Sequence, residues 1–275
     1  MSQQPVTPRP AATLILARDG AQGIEIFMMQ RSLNSDFVGG AYVFPGGGLD
    51  KHDSSPQAAA LCVGLTDAEA SRQLKVANGG LAYWVAAVRE CFEEAGLFMA
   101  YDRNGQLLSL ADPEAAERFD GYRKTLHGGE HNLAELCLKE GLRLATDRVA
   151  YFAHWITPAA SPRRFDTRFF VSAAPKNQVG FHDEKETVDH AWLRPQEAID
   201  RAKSGQYNII FPTLSNIKAL LPFSTTAELM AYARTERDIP AILPRRAKFP
   251  DGTVRPVLPG QPGYDHLPGP DPVPA

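Results

Sequence analysis

Glu90, Glu93 and Glu94 stand at i, i+3 and i+4 in the 275-residue chain. On a helix this spacing brings three carboxylates to one side, where like charges cost about 0.2–0.5 kcal/mol per pair. A hard divalent cation reverses that sign. Mg²⁺ prefers carboxylate oxygen, keeps several waters, bridges to substrate phosphates and activates water. The neighbouring residues support a helix. With Val88 at zero on a wheel of about 100° per residue, Leu81, Trp84, Val85, Phe92 and Ala95 fall within about 60° of it, and the three glutamates at roughly 140–240°. One face can pack on a sheet while the other presents acid. An acidic face opposite an apolar stripe is in most helices a solvated surface, so the residues around it decide its meaning.

Gly46 and Gly47 form a turn after Phe44-Pro45. A backbone without Cβ turns sharply and lets a carbonyl oxygen approach a metal. No GKS or GKT follows, so the turn is not a nucleotide P-loop. Arg31, Arg163, Arg164 and Arg168 are candidates for bidentate phosphate contacts. On a strand, Arg164, Asp166 and Arg168 share one face, which reads equally well as an internal ion-paired face; Arg31 is the preferred phosphate ligand. His154 and His190 lie in apolar, β-like stretches and read as packed or hydrogen-bonded histidines. Cys91 reads as a packing thiol.

These residues need elements to position them. Residues 11–18 and 23–30 are apolar runs separated by DGAQ, which predicts neighbouring strands. A glycine-dense loop follows over 39–48, then a helical pattern over 67–77. Asn78-Gly79-Gly80 breaks it, and the acidic helix runs from 81 to 95, stopped by Gly96. Asp112-Pro113 opens another helix as N-cap and first helical residue, and a short helix follows Asn132. Residues 149–157, 165–174 and 187–193 are β-like, ahead of a helix at 195–203. Ten of the 22 prolines lie in 240–275, which predicts an extended, poorly packed or surface-wrapped tail. Interleaved strands and helices indicate an α/β or α+β domain.

Composition narrows the class. The net charge of −3 argues against a dedicated nucleic-acid binder. Cys62, Cys91 and Cys137 are far apart and form no CxxC, against a zinc ribbon or disulfide framework. No apolar stretch has membrane-spanning length, the first residues lack a secretory apolar region, and the last, DPVPA, are not a peroxisomal SKL address. The expectation is a cytoplasmic protein with no membrane and no nucleic-acid partner.

The segment Arg89-Glu90-Cys91-Phe92-Glu93-Glu94-Ala95-Gly96-Leu97 resembles the second half of the Nudix box, RExxEExG. The first half should follow a Pro-Gly-Gly turn, as Phe44-Pro45-Gly46-Gly47 provides, and six residues beyond Gly47 stands Asp53, an acid where the family has Glu. The family places seven residues between that acid and the Arg; here there are 35, so roughly 28 are inserted inside the box. A split box is similar to that of the peroxisomal coenzyme A diphosphatase branch. Upstream, Arg31, Ser32 and Gly40 match the loop of coenzyme A-cleaving members, whereas Met29 and Asp36 depart from it. Trp155 to Pro158 and Arg163 to Phe170 also look like that branch, so the resemblance covers residues 10–220.

The resemblance implies a Nudix fold, an α/β/α sandwich with a mixed sheet. Its domain would span 8–222, with helical insertions at 54–80 and 108–143, followed by a C-terminal helix and proline-rich extension over 223–275. It implies hydrolysis of a diphosphate bond with Mg²⁺ or Mn²⁺. Glu90, Glu93 and Glu94 would be metal ligands or water-activating groups, and Arg89 would orient them. Glu186 is the choice for a further acid from a distant loop. Arg31, Ser32, Gly40, Gly46 and Gly47 would bind a small-molecule diphosphate, with a homodimer left open. Coenzyme A or acyl-coenzyme A is the first substrate. ADP-ribose, a dinucleotide or a nucleoside diphosphate sugar is the second reading. A non-hydrolytic nucleotide-binding module is the third, disfavoured because all three carboxylates are present.

Overall fold

The computed structural model describes residues 6–33, 38–129, 131–181 and 187–267. In chain order its elements begin with β1 (Arg9–Gly20), β2 (Gly23–Arg31), β3 (Tyr42–Val43), β4 (Gly46–Gly48), α1 (Pro56–Leu61), α2 (Asp67–Leu74) and α3 (Leu81–Ala95). Then come β5 (Ala100–Tyr101), α4 (Pro113–His127), α5 (Leu133–Glu140), β6 (Arg143–Leu144), β7 (Ala150–Ile156), β8 (Phe165–Ala173) and β9 (Thr187–Leu193). Last are α6 (Pro195–Lys203), α7 (Phe211–Ala219), α8 (Thr226–Arg234), β10 (Ala241–Ile242), β11 (Arg245–Lys248) and β12 (Val254–Val257).

Eight strands form one mixed sheet in the order β10-β7-β8-β1-β2-β3, with β4 also paired to β1 and β9 to β2. β1 is parallel to β8 and antiparallel to β2 and β4. Its run TLILA is apolar on both faces because helices cover both. Leu14 and Leu16 pack toward α3, while Ile15 and Ala17 pack toward α6, α7 and α8. The result is the α/β/α sandwich expected from the sequence. Leu14, Leu16, Trp84 and Phe92 are essentially fully buried, each contributing about 1.5–3 kcal/mol. Among the described residues no helix is long and apolar enough to cross a membrane.

The acidic helix spans 81–95 as its pattern predicts. Gly96 ends it in the left-handed region at φ 67°, where a Cβ would meet the Phe181 ring at 2.6 Å. Its start has no capping side chain of its own, because Gly80 precedes it. The inserted helix α2 supplies the missing acceptors. Asp67 accepts from the amides of Gly79 and Leu81 at 3.0 and 2.9 Å, and Ser71 Oγ accepts from Gly80 N at 2.9 Å. The insertion thus supplies acceptors for the amides at the start of the helix that follows it.

Two expectations change, and a third is decided between its readings. The glycine-rich loop at 39–48 contains β3, whose Tyr42 and Val43 pair with the end of β2, and β4, whose glycines pair with the start of β1. The helix over 67–77 stops at Leu74, where Lys75 turns left-handed at φ 56°. Of the two readings of the proline-rich tail, the surface-wrapped one fits its described part, which is anchored rather than loose. β10 joins the main sheet beside β7, and Leu243, Val257 and Tyr264 are buried. The Tyr264 hydroxyl donates to Leu243 O at 2.7 Å, and Arg245 lies over its ring. Residues 268–275 lie outside the described part.

Candidate active site

Register places the glycine turn. Gly46, Gly47 and Gly48 pair with Thr13, Ala12 and Ala11 of β1, which sets them against the acidic side of α3. Gly46 N donates to Glu94 Oε2 at 2.8 Å. A Cβ on Gly47 would lie 2.5 Å from Glu90 Oε1, and one on Gly46 would lie 2.6 Å from Ala12 O. At Gly46 the backbone of β1 leaves no room for a Cβ, and at Gly47 one would displace the Glu90 carboxylate.

The acidic side of α3 is not a solvated surface. Glu93 and Glu94 are buried, and the Glu90 side chain is 13% exposed. Arg89 occupies their midst with all its donors engaged. Nε and Nη2 bond Asp53 Oδ1 and Oδ2 at 2.9 and 3.0 Å, and Nη2 also bonds Gly48 O at 2.9 Å. Nη1 bonds Glu90 Oε1 at 2.9 Å and Glu93 at 3.3 Å. Asp53, 3% exposed, also accepts from Asp50 N at 2.7 Å. The two halves of the split box therefore meet through this pair.

Electrostatics follow from that crowding. Burial pushes the Glu90 carboxyl up to about 7; Arg89 opposes the shift, and the charges of Glu93 and Asp53 add to it. Glu93 is raised mainly by burial, against Arg89 and His127. Burial pulls the Arg89 guanidinium down, but its bond to Asp53 and the charges of Glu90, Asp53 and Glu93 outweigh it, so it stays charged.

The carboxylates open onto a cavity of about 730 Å³. Its polar wall carries Glu90, Glu93, Glu94, His127 and Gly46 to Gly48; Arg31, Ser32 and Arg163 also line it. The remaining wall is mainly apolar, from Phe165 and Phe169 of β8, Val38, Val43, Phe44 and Ile210, with the hydroxyl-bearing Thr167 and Thr213 among them. Among the described residues no three His, Cys, Asp or Glu side chains form a ready-made metal cage. The donor set still fits a hard divalent ion. Such an ion takes one or two carboxylates and completes its shell with water and substrate phosphate. Glu90 and Glu94 supply two carboxylates one turn apart on the cavity wall. Burial raises the Glu90 carboxyl, with the charges of Glu93 and Asp53 adding to the shift, and a bound cation would oppose it.

Most of the sequence candidates converge here; some do not. Gly40 is absent from the lining and serves the turn after β2, at φ 74°, donating to Arg31 O at 3.1 Å. Arg164 is buried and bonds Thr157 O and Val6 O at 3.0 and 2.8 Å. Arg168 points to the sheet face opposite the cavity, bonded to Asp166 and His154. Of the two readings of that strand, the internal ion-paired face holds for Asp166 and Arg168. Glu186 and Asp36 lie outside the described residues. Cys91 is fully buried, as a packing thiol should be.

The sequence reading did not single out His127, Phe165 or Ile210. His127 lies in an inserted helix with no motif. Phe165, Thr167 and Phe169 were findable by the two-residue period of β8.

The NUDT19 Nudix domain family model matches residues 64–220. The chain is 28% identical over 282 residues to the human acyl-coenzyme A diphosphatase NUDT19, covering 89% of this chain and 73% of that one. It is 25% identical to the Xenopus laevis protein of the same name, covering 89% and 72%. Among solved structures, a NUDIX hydrolase from Alicyclobacillus acidocaldarius superposes with a TM-score of 0.68 at 24% identity, over 82% of this chain and 96% of the other, which bears on the fold. With more than half of its length matched by that model, and the split box closed by Asp53 and Arg89, the chain belongs to the Nudix hydrolases, in the NUDT19 Nudix domain family.

Proposed function

We propose that the protein hydrolyses the diphosphate bond of coenzyme A or an acyl-coenzyme A, with Mg²⁺ or Mn²⁺, to adenosine 3′,5′-bisphosphate and a 4′-phosphopantetheine species. The observation that carries this reading is the reassembled box on the wall of a large cavity, with Glu90 and Glu94 beside the glycine turn and Arg31 among the lining residues. The curated names of the human and Xenopus relatives support the substrate. The cavity of about 730 Å³ lies within the roughly 300–1,000 Å³ of small-molecule sites. Its apolar wall suits the pantetheine or acyl end.

Glu90 and Glu94 would hold the metal, with Glu93 as the third carboxylate of the set. The ion supplies neutralising charge and an acidified water at the diphosphate. Arg89 holds Glu90 and Glu93 in place and spends no donor on substrate. Arg31 and Ser32 bind phosphate oxygen, and the backbone of Gly46 and Gly47 leaves the space that Glu90 and substrate need. Glu186, the residue before Thr187 in the sequence, is the proposed further acid.

The test is product analysis of purified protein with coenzyme A, an acyl-coenzyme A and ADP-ribose, each with Mg²⁺, Mn²⁺ or chelator. Metal-dependent release of adenosine 3′,5′-bisphosphate is expected. Cleavage of ADP-ribose alone would overturn the coenzyme A substrate and leave the Nudix hydrolase standing.

A further inference from the structure

We propose that His127 contacts the substrate in this active site, donating an imidazole N–H to an oxygen of the bound diphosphate. The proposal rests on the diphosphatase reading and assigns a residue that lies outside the box and its upstream loop.

His127 is the last residue of α4, far from the box in sequence. Its side chain lines the 730 Å³ cavity together with Glu90, Glu93 and Glu94. It also lines a second cavity of about 480 Å³ behind Arg89, which shares only Glu93 and His127 with the first. Its place beside the acids is built. One turn earlier on α4, Arg123 is 7% exposed and donates from Nη1 to the carbonyl of Glu93 at 3.2 Å. Asp120 holds its Nε and Nη2 at 3.1 and 2.9 Å, and the guanidinium lies 4.6 Å from the Phe181 ring centroid. The inserted helix is thereby clamped to the C-terminal end of α3. Residues four apart share a helix face, so the clamp at Arg123 also delivers His127.

The chemistry of the cavity calls for such a donor. Three carboxylates surround the place where an anionic diphosphate must bind. All five N–H groups of Arg89 are engaged by Asp53, Glu90, Glu93 and Gly48. Among the described residues the cationic or N–H-bearing side chains on the lining are Arg31, Arg163 and His127, and His127 stands beside Glu93. A neutral imidazole already carries one N–H donor, so the contact does not depend on protonation.

The experiment compares His127→Ala and His127→Gln with wild type. Binding of the non-hydrolysable α,β-methylene analogue of ADP is measured by calorimetry in chelator. The kcat/KM is measured on whichever diphosphate wild type cleaves, and thermal melts confirm folding. Loss of a hydrogen bond to a charged oxygen predicts affinity and kcat/KM at least about fivefold lower in the Ala variant, partly restored in Gln, which keeps an N–H donor. A smaller loss in either measurement, or wild type that does not bind the analogue, overturns the proposal. If wild type cleaves another diphosphate but not coenzyme A, the substrate reading fails while the same comparison still decides the role of His127. Should the Ala variant not fold, Gln is compared with Asn in the same position, whose shorter side chain withdraws the donor: Gln is expected to keep more of the affinity and kcat/KM than Asn, and equal losses in the two would overturn the proposal.

Discussion

The Asp53 carboxylate takes Nε and Nη2 of Arg89 in a two-point ion pair, at 2.9 and 3.0 Å, across 35 intervening residues. The insertion separating them has not moved the acid from its partner. It has been folded into two helices, one of which caps the start of α3.

Removing the cation from this pair strands three buried carboxylates. Arg89→Met is expected to destabilise the metal-free protein by about 3–5 kcal/mol, read by urea unfolding, and to abolish turnover. Arg89→Lys restores charge without the planar fork and should fall between the two. Stability unchanged within about 0.5 kcal/mol in Arg89→Met would show that the pair contributes nothing.

Gly47→Ala puts a methyl group 2.5 Å from Glu90 Oε1, and the carboxylate must give way. The fold should survive, at a cost of about 1–3 kcal/mol, while kcat falls on the order of 10²-fold from misplacement of Glu90. Gly121→Ala is the control. It lies inside α4 with nothing within 4 Å of an added Cβ. It should raise stability by about 0.5–1 kcal/mol and leave kinetics unchanged. Equal kinetics in both variants would refute the steric argument.

The Glu90 carboxyl, pushed by burial from its ordinary 4.5 up to about 7, makes stability depend on pH. Between those values the folded, metal-free protein holds a proton that the unfolded chain has lost. The associated stability is full below about 4.5 and is lost as pH rises through about 7. Glu93 shifts in the same direction. In chelator, the melting temperature of Glu90→Gln relative to wild type should therefore rise from about pH 5 to about pH 8. Activity of this variant should be lower by a factor on the order of 10² or more. A melting difference independent of pH would contradict the raised carboxyl.

Asp67 caps a helix to which it does not belong. Asp67→Ala removes the acceptor for Gly79 N and Leu81 N, and should cost about 1–2 kcal/mol of stability. The remaining folded protein should keep its kcat, since the site lies at the other end of α3. A kcat loss at temperatures where circular dichroism shows full folding would instead place Asp67 in the catalytic path.

The acidic helix was legible in the sequence because its information is local. The apolar period from Leu81 to Ala95 and the stop at Gly96 depend only on neighbours along the chain. The same holds for the alternating faces of β1 and the Asp112 and Asn132 caps. Family resemblance was legible for the same reason, since box and glycine turn are short contiguous strings. What those strings left open was whether the acidic face meets water. Tertiary structure decided that by bringing β4 and Asp53 over it, which makes Glu93 and Glu94 buried and lifts Glu90. It also decided that Arg168 turns away from the cavity and that the proline-rich tail adds a strand to the sheet. His127 lines the site because Arg123 clamps the inserted α4 to the end of α3. Pairings across long stretches of chain are set by packing and loop closure, and no residue pattern within one element encodes them.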